Sequence, residues 1–137
     1  MALHLEIVTP EKKIFSDTVA YVYLPSVNGE MGALQGHAAT VTALEPGELR
    51  YEKDGEVLYL AIGTGFAEVT QERVNVLTDM ALGEGEIDEK AAEEAMKRAE
   101  EQLSEISHSE DAEEFAHQQA LLAKASAQLH LKRRLRK

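Results

Sequence analysis

The 137-residue chain carries 25 acidic and 14 basic side chains, a formal net charge of −11. That balance argues against a nucleic-acid partner, because phosphate binding needs a net basic face. The absence of cysteine excludes disulfides, thiolate metal sites and a cysteine nucleophile. No stretch approaches the roughly 20 apolar residues of a membrane span, and residues 1–8 have no apolar signal-peptide core, so a soluble, cytoplasmic chain is expected.

Up to about Met80 the period is two. Leu3, Leu5 and Ile7 alternate with His4, Glu6 and Val8, and the run Val19-Ala20-Tyr21-Val22-Tyr23-Leu24 is rich in strand formers. Residues 49–53 and 56–60 flank Asp54-Gly55, a pair that tolerates the positive φ of a type I′ turn and predicts a hairpin. Residues 66–69 and 73–77 read as a further pair. Gly63-Thr64-Gly65 lies between strands with no helix following, which predicts a bulge or a close backbone approach, not a phosphate cradle. Many short strands with frequent turns predict an antiparallel β-sandwich or barrel over residues 1–84.

Gly83-Glu84-Gly85-Glu86 forms a joint, and residues 85–137 turn helical. Ala92, Met96, Ala99, Leu103 and Ile106 recur at alternating spacings of four and three, with Asp88 placed to cap the first helix. That helix is expected to stop near Ser107-His108-Ser109, with Ser109 capping a second. The second carries Phe115, Leu122 and Leu129 seven apart among alanines. A short connection implies an antiparallel hairpin. Its alanine-rich seam buries little area, so the hairpin is expected to be docked by modest energies and able to open, with an alanine-rich hairpin that stays folded as the equal alternative. The charge splits sharply along it. Acids crowd residues 86–114, whereas after Glu114 the only charged side chains are Lys124, Lys132, Arg133, Arg134, Arg136 and Lys137. Such a tail faces either its own acidic neighbour or an acidic partner.

No catalytic constellation emerges. There is no GxxxxGK[ST] loop and no GxSxG elbow. The five histidines are dispersed without an i,i+4 pair, so no metal and no cofactor is expected. His37, in a glycine-rich stretch, reads as a hydrogen-bonded turn residue, and the chain as a non-enzyme.

The ordered motifs resemble the epsilon subunit of bacterial F-type ATP synthase (delta in mitochondria). They are Thr9-Pro10 with Ile14-Phe15-Ser16, Gly29-Glu30-Met31-Gly32 leading to Gly36-His37-Ala38, Leu44-Glu45-Pro46-Gly47, Gly65-Phe66-Ala67-Glu68-Val69, residues 74–81 and residues 122–129. The resemblance implies a rotor subunit of the central stalk, peripheral on the cytoplasmic face of the cell membrane, coupling proton flow to ATP synthesis. It implies that the sandwich binds the gamma subunit and the c-subunit ring, with Glu30, Met31 and His37 toward the ring. It also implies that the hairpin extends to the alpha and beta subunits of the catalytic head. There Lys124, Lys132, Arg133, Arg134 and Arg136 would meet acidic side chains and restrain ATP hydrolysis. Members that bind ATP typically show Ile/Leu-Asp-x-x-Arg-Ala. Here Ile87-Asp88-Glu89-Lys90-Ala91-Ala92 lacks the arginine. Lys90 points about 100° away, Asp88 is the one weak candidate left at this motif, and the later contact positions carry Lys124 and Gln128. Weak or absent ATP binding is therefore expected. Two other readings stay open: a sandwich that captures a small ligand or nucleotide near residues 29–37, and a jelly-roll enzyme using His37.

Overall fold

The computed structural model describes residues 3–106 and 112–135. Ten strands come first: β1 (Leu3–Val8), β2 (Lys13–Val19), β3 (Tyr21–Ser26), β4 (Gly29–Leu34), β5 (Thr40–Leu44), β6 (Gly47–Lys53), β7 (Glu56–Ile62), β8 (Gly65–Val69), β9 (Arg73–Thr78) and β10 (Ala81–Gly83). A single 3-10 turn, Glu84–Glu86, leads to α1 (Glu89–Glu105) and α2 (Ala112–Leu135). This is the expected sandwich followed by two helices.

Hydrogen bonding follows the path β10-β7-β6-β3-β5-β8-β9-β1-β2, with β4 also paired to β3. The path bends at β3 and β5, which share the single pair Ser26↔Leu44, and its two halves close over one core. Leu3, Leu5, Ile7, Val22, Leu24, Leu49, Val74 and Val76 are fully buried in it. Their period of two drives the fold, since each strand turns one apolar face inward and one polar face out. Pairing is antiparallel with one exception: β1 runs parallel to β9, from His4↔Arg73 to Val8↔Leu77.

The run at residues 19–24 is two strands, not one. Val19 pairs with Leu3 of β1, whereas Tyr21 pairs with Glu52 of β6, so the chain crosses between layers at Ala20. In the β6–β7 hairpin, Asp54 and Gly55 both have positive φ, 52° and 80°, as the turn chemistry predicts. At Gly65 a Cβ would lie 1.9 Å from the carbonyl oxygen of Leu77. This is the close backbone approach expected of Gly63-Thr64-Gly65.

Asp88 caps α1, its carboxylate accepting the Ala91 N–H at 3.0 Å. Ala92 and Ala99 are buried, while Met96, Leu103 and Ile106 are half-buried. The expected break at residues 107–109 and the Ser109 cap lie outside the described residues. Helix α2 packs against both α1 and the β6–β7 face of the sandwich. Leu131 is fully buried there with Ala61, Met80 and Ile87, backed by Tyr59, Leu82 and Leu135. The alanine seam is thus only half of the hairpin's packing; the other half is a leucine plug in the sandwich. Among the described residues no helix is long and apolar enough to cross a membrane.

Candidate functional site

Among the described residues, the lysines and arginines of α2 are all engaged within the chain. Lys124 Nζ lies 3.3 Å from Asp79, Lys132 lies 3.6 Å from Glu84 and also donates to its carbonyl oxygen at 3.1 Å. Arg133 bridges Glu89 at 3.1 Å and Glu93 at 2.6 Å on α1. Arg134 pairs with Glu48 of β6 and lies over the Tyr59 ring, 4.5 Å from its centroid. The hydrogen bonds that Arg133 donates to Glu89 and then Glu93 raise its pKa, and the one that Arg134 donates to Glu48 raises that of Arg134. Of these cations only Arg133 meets the first helix; the others meet the sandwich or the joint. Arg136 lies outside the described residues.

Glu30, Met31 and His37 do not converge on one point. Glu30, at the start of β4, is exposed and 3.3 Å from Arg50, whose guanidinium covers Tyr23 at 4.2 Å. Met31 packs partly into the core. His37 follows the far end of β4, and its Nδ1 sits 2.7 Å from the Ala38 carbonyl oxygen. A six-residue strand spans about 20 Å, so Glu30 and His37 mark the two ends of one edge.

A third surface escaped the sequence reading. Val41, Phe66 and Leu77 are 66%, 48% and 44% exposed. Phe66 faces Leu77 across β8–β9, and Leu77 faces Val8 across β1. With Ala43 opposite Phe66, the result is an apolar row on the outside of one layer, and Val41 lies next to it on the same face of β5, opposite Glu68. Beside it Asn75 Oδ1 is buried without a partner, a costly arrangement for a polar atom. The signal was in the sequence as apolar residues at outward positions, but strand parity had to be known first.

Between the helices, Arg98, Gln102, Lys124 and Gln128 line an open groove of about 550 Å³. Gln128 donates to the Met80 sulfur at 3.0 Å, and Asp88 is occupied by its cap. Among the described residues no three His, Cys, Asp or Glu side chains gather to hold a metal.

Residues 2–84 match the family described as ATP synthase, Delta/Epsilon chain, beta-sandwich domain, and residues 86–132 its long alpha-helix domain. The ATP synthase epsilon chain of Herpetosiphon aurantiacus is 40% identical over 96% of this chain and 94% of its own length. That of Nitrosococcus oceani is 39% identical over 100% and 96%. A chain in the cryo-EM structure of the Euglena gracilis mitochondrial ATP synthase, OSCP/F1/c-ring in rotational state 1, superposes with a TM-score of 0.76 at 26% identity. The match covers 92% of this chain and 78% of that one. With both parts matched in order and near full-length relatives, this chain belongs to the ATP synthase delta/epsilon family.

Proposed function

We propose that the chain is a non-catalytic rotor subunit, in which the sandwich (residues 1–84) joins the gamma subunit and the c ring and the hairpin (residues 85–137) regulates. As part of a peripheral assembly on the cytoplasmic face of the membrane, it couples ring rotation to ATP synthesis. The observation that carries this reading is the outward apolar row Val41, Phe66 and Leu77, beside the orphaned Asn75 carbonyl. Such a row is costly in water and suits burial against a partner, and gamma is the partner proposed. The Glu30–His37 edge is then left for the c ring. Phe66→Glu places a charge in that row on a surface position, so the sandwich should fold while capture by gamma in a pull-down falls at least tenfold. Undiminished capture would remove the row from the interface.

For the hairpin we infer a restraint on ATP hydrolysis, exerted when α2 leaves the sandwich and offers its cations to acidic side chains of the alpha and beta subunits. ATP itself is a poor regulator of this chain. Ala91 stands where ATP-binding relatives carry arginine, and Lys124 is already 3.3 Å from Asp79. Calorimetry of the isolated chain with ATP should give no micromolar binding; a dissociation constant in that range contradicts the inference.

A further inference from the structure

The four described cations of α2 are all paired in the docked state. Any acidic partner that takes them over must compete for the same side chains. Neutralising a tail cation therefore weakens both arrangements at once, and its net effect is a difference between two losses. The acceptors behave differently, because a carboxylate on the sandwich contributes only while α2 is docked.

Among those acceptors Glu48 stands out. It accepts from Arg134, and His130 one helical turn away stands beside it with Nε2 3.5 Å off, a contact that becomes an ion pair only when the imidazole is protonated. Its own side chain is only 23% exposed, against 45% for Asp79 and 36% for Glu84. Partial burial reduces screening, so a pair here counts for more than one in open water. Tyr59, on the neighbouring strand, backs the guanidinium face of Arg134. Contact is made close to the Leu131 plug, where α2 meets β6 and β7.

We infer that Glu48 is a latch: it holds α2 on the sandwich through Arg134 and His130 and sets how often the helix leaves. The latch follows from the geometry of the chain alone; its consequence for hydrolysis rests on the regulatory reading above.

The test has two arms. In the isolated chain, Glu48→Gln should speed amide hydrogen exchange across residues 123–135 on the order of tenfold, the factor expected for losing a charged hydrogen bond on a partly buried group. Exchange in β1 and β9 should not change. Arg134→Gln should do the same, and the double variant should add little to either, as coupled partners require. Glu56→Gln removes an equal charge at the far hairpin and should leave α2 alone. Unchanged exchange in α2, acceleration shared equally by β1 and β9, or full additivity of the two substitutions would each overturn the latch. In the assembled ATP synthase, Glu48→Gln should lower ATP hydrolysis severalfold by freeing α2 to inhibit. Faster exchange with unchanged hydrolysis would leave the latch standing and overturn the regulatory reading instead.

Discussion

Tyr51, 7% exposed in β6 with its ring centroid 4.7 Å from that of Phe15, is held neutral by its surroundings. Burial is the main cause that raises its pKa above the ordinary 10.0, partly offset by Lys53. Below pH 10 folded and unfolded chains both keep the phenolic proton, and the contribution to stability is intact. As pH rises past 10 the unfolded chain releases its proton first, so stability is lost up to the raised folded value. Tyr51→Phe should flatten that alkaline decline in urea unfolding midpoints measured from pH 8 to 11, with little change at pH 7. An identical decline would assign it to other groups. Residue-scale features divide by range in how they read from sequence. Asp54-Gly55 and the Asp88 cap were legible because turn and cap chemistry act within three residues. The pairing of Arg134 with Glu48 was not, since the two stand 86 residues apart and nothing local selects between the chain's many acids.

Helix α2 shows what periodicity misses at the scale of an element. The heptad of Phe115, Leu122 and Leu129 is visible in the sequence, whereas Leu131 and Leu135 fall outside it, although Leu131 is fully buried. A helix covered on two sides spreads its apolar residues around the axis, and the single stripe that betrays an amphipathic helix disappears. Residues 19–24 misled for a related reason, since one apolar run serves two layers with a corner at Ala20. Strands β4 and β5 went unread because glycines and exposed positions dilute their alternation. The plug makes a specific prediction. Leu131→Ala should cost α2 docking about 2–5 kcal/mol, the usual range for a buried leucine. It should speed exchange across α2 while the sandwich's own thermal transition stays put. A matching drop in the sandwich transition would mean that helix and sandwich unfold together.

At the scale of the whole molecule, charge is sorted so that an acidic body holds a basic end. Replacing Lys132, Arg133, Arg134 and Arg136 together with neutral residues, or deleting everything after Gly85, should raise ATPase activity of the assembled complex. On the proposed reading the neutralised α2 loses its docked pairs as well as what it would offer the head, and the second loss should dominate because the Leu131 plug still holds the docked state. About 1 M salt, where the Debye length is about 3 Å, should shrink the difference between parent and quadruple variant. Unchanged activity under all conditions would make the tail a structural element only. The same architecture also carries a clock. Strand β1 is made first, yet its parallel partner β9 lies about 70 residues later, since Leu5 pairs with Val74. At roughly 5–20 residues per second, that gap takes about 4–14 s to synthesise. Until then Leu3, Leu5 and Ile7 have only β2 beside them, and the closing of the sandwich waits on the ribosome.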